Sequence, residues 1–220
     1  MPPSPIPRYI PPLLMLLTLL AVLFVTALPA NLTGGELLRG KALLSALRAG
    51  GHVIYFRHAQ TDWSQSDHVE QAGDWESCDP KRVRQLSDEG RATAGAIGAA
   101  MRTVGIPVGQ VEASPYCRTM ETARLLGLGE VRPSLRIMNM LAARFVGGRD
   151  ALIASARAAI GTPPREGMNT VLVAHGNVVR DATGAYPGEA GAAIFRPDGK
   201  GGFTLVALLD PADWQALAGN

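Results

Sequence analysis

The sequence predicts an α/β domain in three layers, a mostly parallel sheet flanked by helices, on three observations. Val53-Ile54-Tyr55-Phe56 is a short β-branched and aromatic run behind Gly50 and Gly51, and it stops abruptly at Arg57-His58. A second such run, Thr170-Val171-Leu172-Val173-Ala174, stops in the same manner at His175-Gly176. Segments of helical character lie before and between them, the alternation expected of parallel strands joined by crossover helices. Ligands of open α/β sheets bind outside the carboxyl ends of the strands, so two histidines delivered there mark a candidate site.

Taken in order, residues 35–48 carry leucines at 37, 38, 43, 44 and 47 and read as an amphipathic helix leading into the first strand. Residues 59–86 form a long polar stretch with six acids and no periodicity. A loop of that length beginning at the candidate site reads as a lid or a substrate-facing wall. Ser87-Asp88-Glu89-Gly90 opens an alanine-rich helix to about Val104, with Ser87 or Asp88 as N-cap and Gly105 and Pro107 ending it. Residues 110–114 read as a short strand, broken at Ser114-Pro115. Arg118 then falls in the first turn of the next helix, where free N–H groups and a guanidinium suit an oxyanion. A further helix is expected over 149–160 and a Pro/Gly loop over 161–167. Residues 191–196 and 202–209, around Pro197-Asp198-Gly199-Lys200-Gly201, read as a terminal hairpin.

The 220 residues fit one domain with enough chain for a real core. The 21 basic and 19 acidic side chains leave a formal charge of +2 with no basic run. That excludes the footprint of a nucleic-acid binder and points to a small-molecule partner. Residues 1–30 read as a signal peptide or N-terminal membrane anchor, ahead of a domain over 36–220. After Arg8 no charge appears before Glu36, and 13–28 is almost wholly apolar. The run exceeds an h-region of roughly 7–15 residues and falls short of the ~20 of a full span, so cleavage and retention both stay open. Either way the expectation is an exported domain, periplasmic or otherwise extracytoplasmic, meeting the membrane only through this segment. Cys78 and Cys117 are the two cysteines. They can pair in an oxidising compartment or stand as separate thiols, and their spacing does not choose.

Arg57-His58-Ala59, Ser114-Pro115-x-x-Arg118-Thr119-x-Glu121-Thr122-Ala123 and Ala174-His175-Gly176, in that order, resemble the motifs of the histidine phosphatase superfamily. This group includes the cofactor-dependent phosphoglycerate mutases, and the resemblance covers roughly residues 50–210. It implies a phosphoglycerate mutase-like fold, no cofactor and no metal ligands. It also implies that His58 is a nucleophile that becomes phosphorylated, that Arg57 and Arg118 clamp phosphoryl oxygens, and that His175 donates to the transferring group. The chemistry is sound: neutral imidazole forms a covalent intermediate that water hydrolyses, and guanidinium forks match phosphoryl oxygens. Flanking positive charge should keep His58 unprotonated near neutral pH. Thr61 and Asn177 are candidates for hydrogen bonds to phosphate or substrate.

The sequence departs from the family pattern at the proton donor. Residues 135–140, Leu-Arg-Ile-Met-Asn-Met, stand where the mutases supply a glutamate, and Gly176 stands where acid phosphatases carry an aspartate. Ala59 also replaces the mutase glycine. Glu189 is the first candidate for the missing acid, with Asp62 and Glu76 behind it. Three activities are compatible with these residues: an exported metal-independent phosphomonoesterase, a non-catalytic phosphate-binding or scaffold domain, and a metal-dependent hydrolase. The third lacks any His-Glu-x-x-His spacing. The expected substrate is a small phosphate ester, an envelope sugar phosphate among the candidates. The loop acids argue against a polyphosphate, and the oligomeric state is not legible.

Overall fold

Residues 37–219 are described in the computed structural model, and the predicted leader over 1–30 lies outside the described residues. The strands are β1 (Val53–Arg57), β2 (Val108–Ala113), β3 (Val131–Pro133), β4 (Asn169–Ala174), β5 (Ala192–Pro197) and β6 (Phe203–Leu209). They make one sheet in the order β3-β2-β4-β1-β5-β6. The first four run parallel, and the predicted hairpin closes the sheet as β5, antiparallel to β1, and β6, antiparallel to β5.

Strand periodicity sorts the core into two halves. Ile54, Phe56, Val171, Val173 and Ile194 face one side, covered by helices α1 (Gly40–Ala49), α2 (Asp88–Thr103), α3 (Cys117–Leu126) and α6 (Pro211–Ala218). Val53, Tyr55, Leu172, Ala174 and Phe195 face the other, covered by α4 (Arg149–Gly161) and α5 (Gly176–Thr183) together with the 3-10 turns Leu135–Ile137 and Met140–Phe145. The three-layer prediction is borne out.

Local chemistry explains most of the boundaries. The Ser87 hydroxyl caps α2 by accepting from the Gly90 N–H at 3.1 Å. Gly90 itself packs on the backbone of Gln60, where a Cβ would collide, so the start of α2 and the residues after His58 lie against each other. Helix α1 begins at Gly40, not 35, because the chain before it is tied to β6 by Leu38 N–H to Val206 O at 2.9 Å. The sequence reading missed α6, although Asp210-Pro211 with Asp213 forms a capping box. It also missed β3, three residues whose pairing with β2 carries no periodic signal. Cys78 and Cys117 are joined, which closes the pairing question. The bridge ties the middle of the 59–86 loop to the first residue of α3.

Candidate active site

Adjacent parallel strands bring the two histidines together. β1 and β4 pair with Arg57 opposite Ala174, so the next residues, His58 and His175, leave the sheet side by side. The His58 N–H still donates to Ala174 O at 2.9 Å, and the ring centroids are 5.6 Å apart, edge to face. Tyr55, two residues inside β1, fixes the second histidine's backbone. Its hydroxyl donates to His175 O at 2.9 Å and accepts from the His175 N–H at 3.2 Å.

Both rings are buried, and their hydrogen bonds set their tautomers. His58 Nδ1 lies 2.9 Å from Ala59 O, which can only accept, so Nδ1 carries the proton and Nε2 is left with its lone pair. The Ala59 N–H is engaged with Thr122 Oγ1 at 3.1 Å, and the alanine methyl packs in the core, so the departure from glycine is accommodated. Asn139 Oδ1 accepts from Leu141 N and Asn177 Nδ2, which turns its amide N–H toward His175 Nδ1 at 3.2 Å. His175 Nε2 therefore holds the proton, 3.0 Å from Ser114 Oγ.

Burial is the largest cause holding both rings well below the ordinary imidazole value. Arg118, Arg57 and Arg84 push the same way at each ring, and His58 does so at His175. Positive charge thus helps as the sequence predicts, but desolvation leads. The sign for stability follows. Unfolded imidazoles take protons from pH 6.5 downward while the folded ones resist, so stability is complete above that value and is lost as pH falls through the folded values. The thermal midpoint is expected to drop steadily from pH 7 to about pH 5, and less steeply in His175→Asn. A flat profile over that range would contradict neutral buried rings.

Three guanidiniums reach the same cavity, of about 180 Å³, lined by Arg57, His58, Arg84, Arg118, His175 and Asn177 among others. Arg118 is buried and paired end-on with Asp67, Nη1 to Oδ1 and Nη2 to Oδ2 both at 2.9 Å. Arg57 lies 3.6 Å from Glu189 Oε1, which also accepts from the buried Thr61 hydroxyl at 3.1 Å. Arg84 rests over the Trp63 ring, 3.9 Å from its centroid. The first turn of α5, Gly176 and Asn177, borders the cavity as well.

The sequence candidates therefore divide. Arg57, His58, Arg118, His175 and Asn177 line the small cavity, while Thr61 and Glu189 line a wider neighbouring one of about 1060 Å³. Asp62 is occupied by Ser64 and Gln65, and Glu76 is exposed beside the disulfide. An acid at Gly176 would have to displace neighbouring side chains, since a Cβ there would lie 2.7 Å from Tyr186 Cε2 and 3.1 Å from Arg57 Cδ. Asn139, from the stretch that stands where the mutases supply a glutamate, instead orients His175. Sequence reasoning missed Asn139, Asp67, Arg84 and Trp63 as site residues. The last three belong to the polar loop, whose length was the one signal available.

A sheet that presents two neutral histidines among three arginines defines a phosphoryl-transfer protein. A sequence model of the histidine phosphatase superfamily, branch 1, matches residues 53–147, and over that stretch the chain is similar to that superfamily. No curated protein sequence matches it. Among solved structures, mycobacterial glucosyl-3-phosphoglycerate phosphatase with inorganic phosphate is 18% identical, with a TM-score of 0.51, over 74% of this chain and 99% of that one. The same mycobacterial phosphatase with VO3 is 19% identical, with a TM-score of 0.51, over 71% and 97%. The protein histidine phosphatase SixA complexed with tungstate is 17% identical, with a TM-score of 0.50, over 74% and 98%. These likenesses concern the fold, which is phosphoglycerate mutase-like.

Proposed function

We propose that the chain is an exported, metal-independent phosphomonoesterase that works through a phosphohistidine on His58. The observation that carries this is the His58 ring, held neutral with Nδ1–H on Ala59 O and Nε2 free, in a cavity shared with three arginines. Nε2 attacks phosphorus as the ester P–O bond breaks, and the alcohol leaves with a proton from a carboxylic acid, which becomes a carboxylate. Glu189 is the proposed donor, beside Arg57 and hydrogen-bonded to Thr61. The phosphorylated ring keeps its Nδ1 proton, so it carries positive charge opposite Ala59 O. Water then attacks phosphorus while the Glu189 carboxylate takes one of its protons and so returns to the acid form, the P–N bond breaks, and neutral His58 returns with release of phosphate. The His175 Nε2–H turns from Ser114 Oγ to donate to the transferring group, and Arg57 and Arg118 balance its charge.

Export is supported by the apolar leader of the sequence and by the Cys78–Cys117 disulfide, a bond that persists in oxidising compartments. For the substrate we propose a phosphate ester with a polar, uncharged leaving group, such as an envelope sugar phosphate. The wide cavity beside Glu189 has room for one, and its acids Asp62, Asp88, Glu89 and Glu121 outnumber Arg91 and Arg124, which disfavours further anionic groups.

The test is hydrolysis of p-nitrophenyl phosphate by the purified full chain with EDTA present, followed by acid and alkaline quenches. Turnover with an acid-labile, alkali-stable phosphoryl group on the protein is expected. A folded chain that binds vanadate without turnover is instead a non-catalytic phosphate-binding domain, and activity lost to EDTA belongs to a metal-dependent hydrolase.

A further inference from the structure

Arg84 has no part in the motifs that defined the site, yet it shares the small cavity with Arg57, His58, Arg118 and His175. It is held there from two sides. Its guanidinium lies flat enough on Trp63 for a carbon-to-centroid distance of 3.9 Å, and its backbone N–H donates to Asp67 Oδ1 at 3.0 Å. That carboxylate also takes both outer nitrogens of Arg118, so one residue fixes two arginines.

The remaining donors are informative. Arg84 Nε and Arg118 Nε are both buried with no hydrogen-bond partner, although buried polar groups are nearly always paired. Asp67 satisfies the end of the Arg118 fork and leaves its side edge, Nε–H, unspent. Asp67 and Glu189 are the carboxylates that pair with these guanidiniums among the described residues, and each already has its partner. Three like charges in one cavity, two of them with an unspent N–H donor, call for an oxyanion with several acceptor oxygens.

We infer that Arg84 is a third phosphoryl-binding residue, its Nε–H and that of Arg118 donating to oxygens of the transferring group. Asp67 is the positioning residue that locks both arginines, and Trp63 is the platform that keeps the Arg84 guanidinium planar to the cavity. The inference rests on the phosphatase reading and deepens it. Charge in phosphoryl transfer spreads over three equatorial oxygens, and a third guanidinium lets each one find a cationic donor. This also gives the 59–86 loop a role beyond enclosure, since it delivers Arg84, Asp67 and Trp63 together.

The experiment compares the full-length parent with Arg84→Gln, Arg84→Lys, Trp63→Ala and Arg82→Gln, measuring vanadate affinity and p-nitrophenyl phosphate kinetics. Arg82 serves as control because it is half exposed and paired with Asp74 outside the cavity. Arg84→Gln is expected to weaken vanadate at least about tenfold and to lower kcat/KM about 100-fold, mostly through kcat. Arg84→Lys should recover only part, since an ammonium lacks the stacked planar fork, and Trp63→Ala should fall between. Arg82→Gln should stay within about twofold, as for a surface change.

Vanadate affinity of Arg84→Gln equal to that of the control would overturn the inference. If that variant does not fold, Arg84→Lys decides, and parent-like affinity and kcat there overturn it. A parent that binds vanadate without turnover sinks the phosphatase reading while the affinities still judge Arg84. A parent that binds no vanadate ends both.

Discussion

His58→Ala is expected to abolish p-nitrophenyl phosphate turnover, with kcat/KM falling by at least about 10⁴-fold and no phosphoryl group trapped on the protein. The size of the effect follows from the absence of a substitute. His175 is the other imidazole in the cavity, and its Nδ1 takes the Asn139 amide while its Nε2 bears a proton facing Ser114. It has no lone pair free for phosphorus. His58 Nε2 does, because Ala59 O claims the proton at Nδ1 and the backbone on both sides of the residue is tied, to Ala174 O before the ring and to Thr122 Oγ1 after it. The alanine variant loses the nucleophile without leaving a buried charge unpaired. It should therefore remain folded and still bind vanadate through the arginines. Steady-state turnover within about tenfold of the parent would mean that another group attacks phosphorus.

Asp67→Ala is expected to cost about 3–5 kcal/mol of stability, as for one partner removed from a buried ion pair. The Arg118 side chain is 1% exposed and that of Asp67 8%, so water cannot replace the carboxylate once it is removed. The same change frees the backbone N–H of Arg84. The variant should recover part of the loss when phosphate or vanadate is added, since an anion bound to the folded state alone stabilises by mass action, about 2.7 kcal/mol at 100 times its Kd. Chemical denaturation with and without phosphate measures both quantities. A loss under about 1 kcal/mol would mean that Arg118 reaches solvent or a new partner when Asp67 is absent.

The two predictions draw on residues that differ in how far the sequence exposed them. His58, His175, Arg57 and Arg118 were legible because each sits at a strand end or a helix start, where a short local pattern fixes both the element and the direction of the side chain. The buried strands read for the same reason, since β-branched runs bounded by glycine carry their own signal. Asp67, Arg84 and Trp63 lie in a loop without periodicity, and nothing within the loop says which of its polar residues turns inward. Asn139 is hidden differently: it lies where the family pattern places an acid, and its amide acts on His175 from 36 residues away.

By itself the sequence determined the three-layer α/β fold, the helix capped by Ser87, the terminal hairpin and the pair of histidines at one edge of the sheet. Those features rest on interactions between residues close in the chain or on a repeat of two or 3.6 residues. Only the tertiary structure decided that Cys78 meets Cys117, that Asp67 closes on Arg118 and that Arg84 joins the phosphoryl cavity. These contacts span 39, 51 and up to 91 residues, from Arg84 to His175. No local propensity encodes them, because each is fixed by where the folded sheet and helices bring distant side chains.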